Sequence, residues 1–376
     1  MVLSKAYISP QQLFLLLLGF VVGTALFLVP SSAIGQAGQD AWLAPFIALP
    51  PGLLLLALLL VLNKMYPGRS IVQYSQSILG WPGKAVGLLV IWFALHLGAL
   101  VLRNIVSFID VIFLVGTPSA VLCTTITLLA AYAVRLGIEV MARALGIALV
   151  LATVFFAILQ GTAMLFAQFD NLLPVLEKGW LPVLRAAVGI ASFPGGEILV
   201  FGMVIYHLKP GRGAAWYPLA GLAAGLFMLF LSIERSVTVL GPAVAARAIY
   251  TPLVTINSIP GGQILVTLMA VIWYFFSIFK FIICYYAFVQ GVAHWTGARD
   301  YRPLVLPAGA LLAVFSLFVY KSAIDELFFA QTVWPVYAIP LEYGIPLLLW
   351  LAALLRKALG VNKNSAAADT ENNSRL

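Results

Sequence analysis

The apolar residues of this 376-residue chain fall into long runs separated by short polar joints, and none of the runs alternates with period two. Ten of them can cross a bilayer as helix, which takes roughly 20 residues. They lie at about 11–34, 42–62, 85–115, 119–137, 144–167, 184–207, 214–240, 263–294, 303–321 and 335–356. Helices satisfy their own backbone in hydrocarbon, so the pattern predicts an all-α integral membrane protein of ten transmembrane helices. The third and eighth runs exceed the need and predict helices that tilt strongly or project into water. The first run is too long for a cleavable signal and lacks an A-x-A site, so it is expected to insert uncleaved.

Two runs are broken near their middles. The sixth carries Ser192-Phe193-Pro194-Gly195-Gly196-Glu197 where an ordinary span would be uniformly apolar. Pro194 removes a backbone donor, the two glycines loosen the next turn, and Glu197 places an ionisable group at mid-membrane depth. A charge there costs roughly 2.5–3.5 kcal/mol on insertion scales, so such residues face a cavity or a partner. The first run is interrupted at Gly19, Gly23-Thr24 and Pro30. Breaks at corresponding places in two halves are the best sequence pointer to a transporter-type binding site. The offset from Gly23 to Gly195, 172 residues, carries the second and third runs close to the seventh and eighth. Two five-helix halves are therefore expected, about 11–167 and 184–356, within a membrane domain spanning 1–360. The polar stretch 361–376 is expected to be a disordered cytoplasmic tail.

The chain is 63% hydrophobic and 9% charged, far from the usual quarter charged. Its net charge of +8 reports topology rather than a nucleic-acid partner. Fourteen lysines and arginines, among them Lys64, Arg69, Arg135, Lys209 and Arg356, fall on the side shared by both termini. Lys178, Arg185, Arg247 and Lys321 fall opposite, and Arg103, Arg235 and Lys280 lie within spans. The asymmetry predicts cytoplasmic termini. Cys123 and Cys284 both sit in apolar runs and imply no disulfide framework. No G-x-S-x-G, H-E-x-x-H or P-loop occurs, and His96, His207 and His294 lack metal-ligand spacing, so neither an enzyme nor a metal or cofactor site is expected.

What remains is a polar set inside the membrane: Thr24, Arg103, Glu197, Lys280 and the Glu234-Arg235 pair. A helix broken at Gly23-Thr24 turns freed N–H groups and a positive dipole end toward an anion such as a carboxylate. The carbonyls before Pro194 can accept from an ammonium. Gly23, Thr24, Ser192, Phe193, Gly195, Gly196 and Glu197 are thus the candidate substrate-binding residues, and Lys280 and Arg103 the candidates for coupling or charge pairing. The bland alternative is that Glu197 is bridged to Lys280 or Arg103 merely to hold the bundle together. Gly221-Leu-Ala-Ala-Gly225 reads as close helix packing within the bundle.

Several of these residues fit a known pattern. The run from Gly23 to Pro30, then Ala37-Gly38-Gln39-Asp40-Ala41-Trp42, Phe193-Pro194-Gly195-Gly196-Glu197, Leu240-Gly241, Tyr250-Thr251-Pro252 and Trp273…Phe279-Lys280 occur in an order that resembles the spore germination permease family. That family comprises the B-type subunits of nutrient germinant receptors, within the amino acid/polyamine/organocation transporter superfamily. The similarity covers about 9–358. Gln263-Ile264-Leu265 stands where an arginine and an acid often open the eighth helix, and Pro194 where a flexible residue is usual. The resemblance implies a LeuT-type five-plus-five inverted repeat with helices one and six broken. It implies a small nutrient ligand, typically an amino acid, sensed with A-type and C-type partner subunits in the inner membrane of the spore. An autonomous proton-coupled secondary amino acid transporter, using Glu197 or Lys280, is the rival reading.

Overall fold

Helix one begins where the sequence supplies a complete start signal. In this computed structural model, which describes residues 6–359, Ser9 Oγ accepts from the Gln12 N–H at 3.1 Å and Gln12 Oε1 accepts from the Ser9 N–H at 2.8 Å. Pro10 follows at a position that needs no N–H. The helix then runs in two pieces, Pro10–Val22 and Ala25–Ala37, parted at Gly23-Thr24. Helix two is Ala44–Met65, helix three Trp81–Ile112, helix four Ser119–Leu136 and helix five Ile138–Met164.

Helix six starts as regular α-helix over Trp180–Ile190. It widens into a π-helical stretch at Ala191–Gly196 and tightens into 3-10 turns at Glu197–Met203 and Ile205–His207. Helix seven is Trp216–Leu240, helix eight Gly262–Thr296, helix nine Arg302–Ser316, and helix ten is Trp334–Glu342 followed by Gly344–Ala358. Among the described residues, eight stretches are long and apolar enough to cross a membrane, and Pro10–Val22 and Arg302–Ser316 are shorter apolar helices. The protein is an all-α, multi-pass membrane protein with broken helices one and six. The expected tail at 361–376 lies outside the described residues.

Three departures from the sequence pattern shape the molecule. Helix nine stops at Ser316, because the chain turns into a short helix Ala323–Phe328 whose Ser322 hydroxyl accepts from the Asp325 N–H. Helix ten, expected to be continuous, is interrupted at Tyr343. Short helices at Ile71–Leu79 and Thr251–Asn257 occupy stretches that read as loops. At about 1.5 Å per residue, helices three and eight reach about 48 and 52 Å, well beyond a hydrocarbon core of about 30 Å.

Helix one packs along helix seven, and the small residues there permit it. A β-carbon on Gly221 would come 2.5 Å from the Phe14 carbonyl oxygen, and one on Gly225 would come 2.8 Å from Val21 Cβ. The Gly38–Leu43 turn after helix one, entered at Gly38 with φ 61°, buries Asp40. Its carboxylate accepts from the Leu176 N–H at 2.8 Å, and Gln39 donates to the Pro174 carbonyl at 3.0 Å. The connection between helices five and six is thereby tied to the end of helix one.

Three contacts tie distant parts of the chain together near the helix ends. Ile8 pairs with Leu208, Ser70 Oγ lies 2.8 Å from His294 Nδ1, and Arg356 donates to the Ser77 and Ile78 carbonyls at 2.5 and 2.6 Å. This places the start of helix one beside the end of helix six, and the Ile71–Leu79 helix beside the ends of helices eight and ten.

Candidate functional site

The break in helix one is made by Gly23, whose φ of 0° and ψ of −124° end the first piece while its N–H still reaches the Gly19 carbonyl. Ala25–Ala37 then restarts without a side-chain cap, leaving first-turn N–H groups that have no intrahelical acceptor. In helix six the break falls at Phe193, which takes extended angles (φ −130°, ψ 104°) between helical neighbours. The carbonyls released there are not idle. Ser192 accepts from Trp334 Nε1 at 3.4 Å and Ala191 from the Tyr343 hydroxyl at 2.8 Å, both donors belonging to helix ten. The expected acceptors for an ammonium are thus already engaged by this chain.

The ammonium goes elsewhere. Lys280, fully buried on helix eight, forms an ion pair and hydrogen bond with Glu197 Oε2, itself 2% exposed. Its Nζ also lies 3.5 Å from Thr24 Oγ1 and sits over the rings of Phe193 at 4.8 Å and Phe20 at 5.1 Å. One lysine therefore joins both breaks. A β-carbon on Gly23 would lie 2.6 Å from Lys280 Cδ, so that glycine makes room for the lysine. Gly196 plays the same part for Glu342, whose carboxylate fills the space a β-carbon would need, and Gly195 is tight against the Ile190 carbonyl at 3.0 Å.

Of the sequence candidates, Thr24, Phe193, Glu197 and Lys280 come together, with Ser192, Gly195 and Gly196 forming the adjoining backbone. Arg103 does not join them. It stands on helix three near Glu326 of the Ala323–Phe328 helix, where Asn104, with its amide oriented to satisfy both neighbours, reaches Glu326 Oε1 at 3.2 Å. Asp110, seven residues on and so on the same helix face as Arg103, instead accepts from the Gly116 N–H at 3.2 Å. Arg235 is buried without a hydrogen-bond partner among the described residues, its guanidinium 5.7 Å from the Phe156 ring.

A small cavity, about 20 Å³, opens against this cluster between Thr24, Asn104, Phe193, Glu197, Tyr320 and Trp334. That volume suits about one water molecule. A second cavity of similar size, lined by Ser32, Gln36, Gly189 and Gln331, meets it at Phe193 and Ala330. On one side of Lys280 the bundle is sealed by Phe27 stacked on Trp273 (5.0 Å, 7°), with Phe108 and Tyr250 against them. On the other side, His207, Tyr286, Gln290 and Tyr206 form a hydrogen-bonded chain with distances of 2.9–3.0 Å. A wider opening, about 840 Å³, lies farther out among Tyr7, Asn63, Lys64, Tyr206 and Lys209. Aromatic packing thus bounds the site on one side and a hydrogen-bonded chain on the other.

Sequence reasoning missed Glu342, Asn104 and Trp334. The signal for Glu342 was present: Pro340-Leu-Glu342-Tyr-Gly344-Ile-Pro346 shows the same proline, glycine and acid combination that marked helix six. Glu342 is fully buried, and both its carboxyl oxygens lack a hydrogen-bond partner among the described residues.

Residues 7–324 match the family model described as spore germination protein. The chain is similar to spore germination protein KB of Bacillus subtilis (strain 168), 27% identical over 369 residues that cover 94% of this chain and 96% of that protein. It is also similar to spore germination protein YndE of the same organism, 23% identical over 363 residues that cover 93% and 97%. Among solved structures, MhsT in complex with L-phenylalanine superposes with a TM-score of 0.64 at 16% identity, covering 93% of this chain and 99% of that one. A Na⁺-coupled sialic acid symporter in a substrate-bound outward-open state gives 0.65 at 9% identity, covering 93% and 89%. At such identities the likeness establishes the fold alone, that of the LeuT-type transporters.

Proposed function

The chain belongs to the spore germination protein family, and from that premise we propose that it is a membrane receptor subunit that detects a small nutrient, an amino acid, at the breaks of helices one and six. The observation that carries this reading is the cavity shared by Thr24, Phe193 and Glu197, set where both helices lose their regular backbone. An amino acid offers a carboxylate to the N–H groups that open Ala25–Ala37 and an ammonium to Glu197. Because the cavity now fits about one water, entry requires the aromatic side chains around it, Phe193 foremost, to move aside. That displacement is the conformational signal passed to the A-type and C-type subunits of the receptor. In this reading the subunit lies in the inner membrane of the spore, and the lysine and arginine asymmetry supports cytoplasmic termini.

The second reading, a proton-coupled amino acid transporter, draws on one feature. A fixed ammonium, Lys280, spans the two breaks and can neutralise a carboxylate without any inorganic cation. The two readings separate on uptake of labelled amino acids by vesicles containing the purified chain. For the receptor reading, Glu197→Gln keeps shape and hydrogen bonding but removes charge. Its germination dose–response should shift by on the order of 1.5–3 kcal/mol, tenfold or more. An unchanged midpoint at equal protein abundance overturns the assignment of Glu197 to the ligand.

A further inference from the structure

We propose that Glu342 is a proton-binding site, and that Lys280 has two alternative counter-ions, Glu197 on helix six and Glu342 on helix ten, between which a single proton is exchanged. The inference does not depend on the identity of the ligand, and its test is run without one.

Three ionisable side chains share this part of the interior. Lys280 and Glu197 are paired, and the pair is electrically neutral. Glu342 is also fully buried, with its carboxyl held against Gly196, the residue that immediately precedes Glu197. Through Gly196 it sits one residue from Glu197 along helix six, yet among the described residues it accepts no hydrogen bond. An ionised carboxylate in that position would be an uncompensated charge in a medium of low polarity, so it is held neutral by a proton. The other titratable groups facing it do not supply a counter-charge. Tyr343 donates its hydroxyl to the Ala191 carbonyl, and Tyr337 is bonded to Trp92 and lies 3.3 Å from His96 Nδ1. One ammonium and two carboxyl groups are neutral as a set when one proton is shared between the acids.

The exchange follows from that count. Transfer of the proton from Glu342 to Glu197 leaves Glu342 ionised and Glu197 neutral, while Lys280 keeps its three protons and changes partner. Helix eight is then tied to helix ten instead of to the broken turn of helix six. The same set of charges thus has two arrangements, and they differ in which helix the lysine restrains. This makes the proton a switch on the mobility of the helix six break.

The test is infrared spectroscopy of the full chain in lipid nanodiscs at neutral pH, reading the deuterium-sensitive C=O stretch of protonated carboxyl groups. Relative to the wild type, Glu342→Gln should lose about one carboxyl equivalent of that band. Glu197→Gln should lose a similar amount, because Glu342 then gives up its proton and serves Lys280. Lys280→Met should gain about one equivalent, since neither acid has a counter-ion. A Glu342→Gln spectrum equal to the wild type shows Glu342 ionised and overturns the proposal. Full retention of the band in Glu197→Gln shows a proton that does not exchange, and overturns it equally. Should Glu342→Gln fail to fold, the Glu197→Gln and Lys280→Met spectra decide alone.

Discussion

Replacing Lys280 with methionine tests the centre of the site, and the structure sets the size of the effect. Methionine keeps most of the volume of a side chain that is fully buried, so cavity formation is a minor part. What is lost is the ammonium that neutralises Glu197 and lies over Phe193 and Phe20 at 4.8 and 5.1 Å. Leaving one member of a buried pair alone costs about 3–5 kcal/mol, two to more than three decades in the folding equilibrium. The lost ring contacts, about 2 kcal/mol each where they are desolvated, are part of that cost. Glu197→Gln should cost less, because Glu342 remains to balance the lysine. The double variant Lys280→Met/Glu197→Gln removes both charges and should recover at least about 2 kcal/mol relative to Lys280→Met, since a buried pair replaced as a unit is often close to neutral. Unfolding by denaturant of the purified protein in one detergent, followed by tryptophan fluorescence, measures all four corners. If the two single substitutions add within about 0.5 kcal/mol, the residues are energetically independent and the reasoning fails.

Gly23→Ala should mimic the loss of the lysine, because its β-carbon would meet Lys280 Cδ at 2.6 Å and the Phe20 carbonyl at 3.0 Å; a germination response equal to the wild type at equal abundance would refute this. Gly221→Val should reduce protein abundance sharply through contact with the Phe14 backbone, whereas Gly161→Val, on helix five with open space around it, should not; immunoblotting of both in one strain is the check. Asp40→Ala removes the acceptor for the half-buried Leu176 N–H and should destabilise the protein by about 1 kcal/mol, read as a lowered denaturant midpoint. Cysteine at the exposed Gln36 should react with an impermeant maleimide in intact cells while cysteine at the exposed Arg212 should not; the reverse pattern inverts the orientation.

The breaks in helices one and six were legible because proline, glycine and a buried acid are costly in a membrane and stand out against an apolar background. The same cue at Glu342 was overlooked, since the tenth run is apolar enough to read as an unbroken span. Lys280 stood out as a charge inside an apolar run, yet spacing along the helices does not reveal whether Lys280 or Arg103 is the partner of Glu197. Arg103 and Asp110 share a helix face, which is compatible with pairing, but Asp110 is drawn to the Gly116 amide and Arg103 to the neighbourhood of Glu326.

By itself the sequence determined that the chain is an all-α, multi-pass membrane protein, that two spans are broken, and that few ionisable groups lie between the interfaces. Those features follow from hydrocarbon acting as a solvent on each segment separately, so local composition is enough to read them. The tertiary structure alone decided which groups meet. Lys280 bridges residues 83 and 256 positions away along the chain, and Glu342 is placed on Gly196 by the packing of helix ten against the break in helix six. A charge buried in a low-polarity interior is stabilised only by what stands within a few ångströms of it, and that neighbourhood exists only once the helices have packed.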